Sequence, residues 1–202
     1  MKIVIVNPKI SLNKKRRAIN DVIDQALNTW LINNSYYPIV LPNSTIKIKK
    51  KKIELFLKRL KPKGIVLSGG NDVTKNSLRY SMQLFLIQFS KSNRIPLLGI
   101  CQGMQMLGVS DGGKLIRVKN HVRTKHLLVN LTNEKFPIEA NSYHDYSLKK
   151  CPRNYRVTTI TNTGDIESIK HKKYFIEGWM WHPERDIKIN KINNYRLKKL
   201  FK

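Results

Sequence analysis

The stretch Leu97-Leu98-Gly99-Ile100-Cys101-Gln102-Gly103-Met104-Gln105 decides how this chain is read. An apolar run ends in a cysteine framed by two glycines, and a helix-compatible segment follows at once. This is the layout of a nucleophile elbow, where a buried strand turns sharply into a helix and presents one side chain. The glycines suit a strained, crowded turn in which a Cβ would meet neighbouring backbone. A thiol placed there faces the partial positive charge of a helix N-terminus, which favours the thiolate form in general. A purely structural cysteine on a core strand is the competing reading, and two other segments weigh against it.

Those segments are Trp179-Met180-Trp181-His182-Pro183-Glu184 and Gly64-Ile65-Val66-Leu67-Ser68-Gly69-Gly70-Asn71-Asp72. A cysteine nucleophile needs a base that takes a proton and later returns it to the leaving group. His182 suits that role, and Glu184 suits the holding of its imidazole in one tautomer. Pro183 restricts the backbone between them. The Ser68-Gly69-Gly70 turn closes a second apolar strand, so its amides can point at a developing oxyanion. Each motif alone is weak; together, at the ends of apolar strand-like runs, they describe a hydrolytic site.

With these motifs the chain resembles the class I glutamine amidotransferase-like superfamily, and within it the free-standing γ-glutamyl hydrolase branch. The resemblance covers nearly the whole chain and is best from Gly64 to Glu184. It implies a flavodoxin-like three-layer α/β fold and a Cys101–His182–Glu184 triad. It also implies an oxyanion hole from the amides of Gly70 and Gln102, with no metal or organic cofactor. Gly69, Asn71, Gln105 and the segment Asn141-Ser142-Tyr143-His144 fall where the family contacts the γ-glutamyl group. The SGGND turn and the NSYHD segment point, within the branch, to hydrolases of nucleotide-linked γ-glutamyl amidates that serve capsule phosphoramidate synthesis. Lys75, Arg79 and Arg185, near the matched motifs, are then candidates for phosphate contact. Two departures stand out. Related hydrolases often carry Arg directly after the nucleophile, where this chain has Gln102. Many also have an Arg-Asp pair followed by Glu on the helix after the SGG turn, where this chain reads Arg79-Tyr80-Ser81-Met82-Gln83.

Composition bounds the rest. A chain of 202 residues with 41% hydrophobic content suits one domain over residues 1–202 with a sizeable core. The formal charge of +26 comes from 39 Lys and Arg against 13 Asp and Glu. The lysines are scattered, without zinc-finger spacing or aromatic-interleaved basic repeats, so no nucleic-acid partner is expected. The charge would still attract anionic small molecules. The start, Met1 to Pro8, is too short an apolar run for a signal peptide and reads as a core strand, and no run reaches membrane-span length. Two cysteines give no disulfide framework, and Cys151 reads as incidental. A free thiol suits the reducing cytoplasm. A small-molecule γ-glutamyl substrate is the expected partner. A glutaminase subunit would require a separate synthetase, and the chain has no ATP-binding loop of its own. The oligomeric state is left open.

Strand-like and helix-like segments alternate through the first half. Lys15 to Leu31 places Ile19, Val22, Ile23, Ala26, Leu27 and Trp30 at helical spacing. Lys47 to Lys63 reads as a basic helix with Ile53, Phe56, Leu57 and Leu60 inward and its lysines solvated. Leu78 to Phe89 is a further helix, and Ile39–Leu41, Gly64–Leu67 and Ile95–Ile100 are strands. This alternation argues for a mostly parallel sheet with helices on both faces, its chemistry beyond the carboxyl ends of the strands. The second half is richer in short strands: Lys114–Val118, Leu127–Leu131, Tyr155–Thr161, Ile166–Lys170 and Phe175–Trp181. These are expected to extend the sheet and add a small antiparallel layer, with Tyr195–Phe201 as a closing helix. Trp179 and Trp181 are expected on opposite sides of their strand, and His171 on the surface. His121 and His126 have no Cys or carboxylate at ligand spacing, so no metal site is expected there.

Overall fold

The computed structural model describes residues 1–186 and 190–202. The first half runs β1 (Ile3–Asn7), β2 (Lys9–Asn13), β3 (Ala18–Val22), α1 (Gln25–Asn33), β4 (Tyr37–Val40), α2 (Lys50–Leu60), β5 (Gly64–Leu67), α3 (Leu78–Asn93), β6 (Leu97–Ile100) and α4 (Gln102–Ser110). The second half runs β7 (Leu115–Arg117), β8 (Val122–Asn130), β9 (Glu139–Tyr143), β10 (Tyr146–Leu148), β11 (Tyr155–Thr161), β12 (Ile166–His171), β13 (Ile176–Trp179) and α5 (Lys191–Leu200).

Nine strands form the central sheet in the order β4-β1-β5-β6-β13-β12-β11-β8-β9. The first five pair in parallel and the rest are antiparallel. Strands β5 and β6 are apolar almost throughout because both of their faces are covered. Ile5, Ile65, Leu67 and Leu97 pack on one side with Ile53 and Leu57 of α2, Met82 and Leu86 of α3, and Met104 of α4. Val4, Val6, Val66 and Leu98 pack on the other with Leu27 and Leu31 of α1 and Leu197 and Leu200 of α5. The expected α/β architecture is therefore observed, with two small antiparallel pairs, β2-β3 and β10-β7, beside it. Among the described residues no helix is long and apolar enough to cross a membrane.

Register places the site. Leu67 pairs with Gly99, and Trp179 with Ile100, so β5, β6 and β13 end side by side. The Cys101 amide donates to the Trp179 carbonyl at 2.8 Å, bringing the two chain exits together. Ser68-Gly69-Gly70, Cys101 and His182 all leave the same sheet edge.

Several local expectations fail for identifiable reasons. Lys15–Leu31 is not one helix: residues 9–22 form the β2-β3 hairpin, and the helix starts only after Asp24, whose carboxylate accepts from the Ala26 amide at 3.0 Å. The apolar spacing there is spurious, since Ile19 is 72% exposed. The basic helix is shorter than its spacing suggests, preceded by a 3-10 turn at Asn43–Lys47, and Phe56 faces solvent. Trp179 and Trp181 stack on one side, with centroids 5.5 Å apart, because residues two apart in extended chain share a face. Met180 takes the opposite side. His171 is buried, its Nδ1 accepting from the Lys173 and Tyr174 amides. Strand β9, which carries Asn141 to Tyr143, has no sequence signal of its own and forms by pairing with β8.

Candidate active site

The turn at Cys101 is strained as a nucleophile elbow requires, with φ +50 and ψ −105 at a non-glycine residue. A Cβ at Gly103 would lie 2.2 Å from the Leu67 carbonyl oxygen, and one at Gly99 would lie 2.6 Å from Gly103 backbone. The glycines thus let β6, α4 and β5 approach closely enough to raise Cys101 at the helix start. No side chain caps α4 at Cys101, so its first-turn amides, Gln102 among them, stay open for an anion.

His182 Nδ1 lies 2.6 Å from Glu184 Oε1, and both side chains are almost entirely buried. Burial works to lower the His182 pKa. Hydrogen bonding to Cys101 and Glu184, and their negative charges, outweigh it and lift the value to about 9. The backbone of His182 is clamped by Asn141, whose Oδ1 accepts from the His182 amide at 2.9 Å while its Nδ2 donates to the His182 carbonyl at 2.7 Å. The ring is further boxed by Tyr143, edge-on at 5.8 Å, and by Gly69, where a Cβ would lie 2.5 Å from the imidazole.

Arg79 explains the glycine turn. Its buried guanidinium donates to the carbonyls of Ser68 at 2.6 Å, Gly69 at 3.1 Å and Gly70 at 2.6 Å. The peptide joining Gly69 to Gly70 is trans, so its N–H points opposite to the carbonyl that Arg79 holds. Gly70 itself has φ +93, a conformation that glycine adopts freely. Burial lowers the Arg79 pKa to about 10, against the opposing effect of Cys101 and Asp21. The side chain stays cationic at neutral pH, and it is a positioning group for the turn rather than the phosphate contact expected of it.

Cys101 and His182 line a cleft of about 230 Å³ together with Gly70, Asn71, Gln105, Tyr143 and His144. Gln105 is oriented by donating to the Tyr146 carbonyl at 2.8 Å. Asn71 accepts from the Ile10 amide at 2.9 Å, tying the turn to the β2-β3 hairpin. Ser142 faces away, fully buried, and donates to the His121 carbonyl at 2.6 Å. Gly69 and Asn141 are not among the residues lining this cleft; they support His182. Lys75 is exposed and lines neither the cleft nor the groove beside it. Arg185 lines both, lying 4.9 Å over the Tyr143 ring and paired with Asp24 at 3.1 Å. That adjoining groove, of about 1090 Å³, also holds Arg123, Lys125, Glu139 and Asp186.

The model of the glutamine amidotransferase class-I family matches residues 19–198. The chain belongs to that family. Its members are amide-hydrolysing enzymes with a cysteine nucleophile. Among curated relatives, the chain is 34% identical over 136 residues to a gamma-glutamyl-CDP-amidate hydrolase of Campylobacter jejuni, covering 64% of this chain and 66% of that one. It is 31% identical over 153 residues to the glutamine-hydrolyzing GMP synthase subunit of Methanococcus maripaludis, covering 72% and 73%. Among solved structures, a GMP synthase subunit from Thermoplasma acidophilum shares the fold with TM-score 0.71 at 17% identity, covering 100% of this chain and 92% of that one. A glutamine amidotransferase from Thermotoga maritima does so with TM-score 0.67 at 17% identity, covering 98% and 83%.

Proposed function

We propose that residues 1–202 form a single cytoplasmic hydrolase domain that cleaves a γ-glutamyl amide-type bond through a Cys101–His182–Glu184 triad. The observation that carries this reading is the 2.6 Å His182–Glu184 pair beside Cys101, in a cleft sized for a γ-glutamyl group. The Cys101 thiolate adds to the γ-carbonyl carbon, forming a C–S bond, and the amides of Gly70 and Gln102 receive the oxyanion. Collapse breaks the C–N bond as imidazolium His182 protonates the departing nitrogen. Neutral His182 then takes a proton from water, whose oxygen displaces the thiol and releases glutamate.

The leaving group is a nucleotide-linked amidate, with cytidine diphosphoramidate as product and capsule phosphoramidate synthesis as context. The groove beyond Tyr143 and Arg185 supports this, being far larger than the glutamyl cleft and bearing Arg123, Lys125 and Arg185. The relative from Campylobacter jejuni supports it too. The test offers purified protein γ-glutamyl-CDP-amidate and γ-glutamyl-γ-aminobutyrate and measures free glutamate. We expect higher kcat/KM for the nucleotide conjugate, falling as salt screens the charge. Equal, salt-independent rates would overturn the nucleotide assignment and leave a γ-glutamyl-γ-aminobutyrate-type hydrolase.

A glutaminase subunit is a second reading, favoured by likeness to GMP synthase subunits. It puts a synthetase back among the partners, against the expectation from sequence. Glutamine hydrolysis that is negligible alone and rises on adding a synthetase would select it.

A further inference from the structure

A second, largely buried cluster adjoins the cleft through His144. His121 precedes β8, His126 lies in β8, His144 follows β9, and Glu167 lies in β12. One donor atom from each lies within 4.8 Å of every other. His121 Nδ1 is 3.4 Å from His144 Nε2, and Glu167 Oε1 lies 3.5 Å from His144 Nε2 and 4.0 Å from His121 Nδ1. Sequence spacing offers these histidines no carboxylate, but the antiparallel sheet brings Glu167 to them from a distant strand.

The polar groups here do not satisfy one another. Glu167 is fully buried, and among the described residues neither of its carboxylate oxygens has a hydrogen-bond partner. His126 Nε2 is likewise buried and unpartnered. His144 Nδ1 must donate to the Tyr146 carbonyl at 3.1 Å, which in the neutral ring leaves a lone pair on Nε2. His121 Nε2 faces Asp165 Oδ2 at 3.4 Å, while its Nδ1 faces His144 and Glu167. Ring nitrogens and a carboxylate therefore converge in a buried space, an arrangement that is costly without a cation between them.

We infer that His121, His126, His144 and Glu167 form a binding site for a divalent cation of the zinc class, separate from the hydrolytic centre. Three imidazole nitrogens and one carboxylate oxygen are a borderline donor set suited to Zn²⁺. Ligands at zinc bond lengths in a tetrahedron stand about 3.3 Å apart, close to the 3.4 and 3.5 Å separations of His144 Nε2 from His121 and Glu167. The hydrogen bond from His144 to Tyr146, and the 3.4 Å approach of His121 Nε2 to Asp165, are outer contacts of the kind that fix ring orientation in such sites. A proton is the competing occupant. Four protein donors make the site closed and structural. Because His144 also lines the glutamyl cleft, the cation would fix one wall of it.

The test uses the full chain carrying Cys101→Ala, so that no active-site thiolate competes for metal. After chelator treatment, the protein is titrated with Zn²⁺, and separately with Co²⁺ followed by its visible absorption. We expect one Zn²⁺ per chain, tetrahedral Co²⁺ bands, and a melting temperature raised by about 5–10 °C at a hundredfold excess over Kd. Glu167→Gln and His126→Ala in the same background should each lose the bands and the stabilisation. Should either variant fail to fold, X-ray absorption of the Co²⁺ protein must show three imidazoles and no sulfur in the shell. No stoichiometric binding, a shell without imidazoles, or equal binding by both folded variants would overturn the site.

Discussion

Two buried clusters of imidazole and carboxylate sit at this cleft and differ in how their charges are met. In the first, one oxygen of Glu184 closes on His182 at 2.6 Å, and His182 lines the cleft with Cys101. In the second, three histidines gather at Glu167, yet among the described residues neither of its oxygens receives a hydrogen bond. The first is built at the ends of parallel strands, where register alone aligns three chain exits. The second is built across antiparallel strands, where side chains from four places meet on one face. A carboxylate matched by its own imidazole orients a base, whereas one ringed by lone pairs calls for a cation from outside.

The largest expected effect lies in the first cluster. Replacing Cys101 by Ala should lower kcat by roughly 10³-fold or more, because the acyl intermediate is a thioester on its sulfur. Circular dichroism should report an intact fold, since the thiol makes no hydrogen bond that holds the sheet together. Retained turnover would remove Cys101 from the mechanism and dissolve the contrast between the clusters.

A matched pair of isosteric changes sharpens the comparison. Glu184→Gln removes the charge and hydrogen bond that raise His182 and should cost roughly 10²–10⁴-fold in kcat. It should also move a pH limb. His182 must be protonated to serve the leaving nitrogen, so kcat/KM in the native protein falls as pH rises through about 9. In Glu184→Gln this limb shifts down towards the ordinary value of 6.5. Glu167→Gln should leave the limb where it is and abolish Zn²⁺ binding instead. A pH–rate profile in which Glu167→Gln moves the limb and Glu184→Gln does not would reverse the assignment of the two clusters.

The two clusters also differ in how legible they are in sequence. The elbow, the SGG turn and the WHPE segment are each contiguous, and each combines an apolar strand with residues whose chemistry is local. Glycines at 99 and 103 announce close backbone approach without any knowledge of what approaches. Glu167 gives no such notice, because only the pairing of β12 into the sheet turns it towards His121 and His144, which stand more than twenty positions away. The β2-β3 hairpin is hidden differently: its apolar residues mimic a helical stripe, and only the contacts of residues 9–22 with one another and with Asn71 reveal strands. Arg79 stands out in sequence for its charge, but its role depends on three backbone carbonyls that only the folded turn gathers around it.

The smallest effect concerns Gln102 and Gln83, which lie in the two departures from the resemblance and meet in the structure. Gln102 follows the nucleophile and Gln83 sits on α3, and their buried amides exchange hydrogen bonds at 2.9 and 3.2 Å. The resemblance leads one to expect Arg after the nucleophile and Glu on α3, and this neutral amide pair would then occupy the place of an ion pair. Gln102→Arg alone buries a cation without its partner, which typically costs about 3–5 kcal/mol. Gln83→Glu alone buries an anion, although Arg79, one helical turn away, offsets part of that charge. The double variant restores the pair, and denaturant unfolding of all four proteins should yield a favourable coupling of about 1–3 kcal/mol. Activity should follow stability, because the oxyanion donor at position 102 is the backbone amide and survives the change of side chain. A coupling near zero would mean that the two positions were exchanged independently, and that the amide pair is a coincidence of neighbours rather than a replacement.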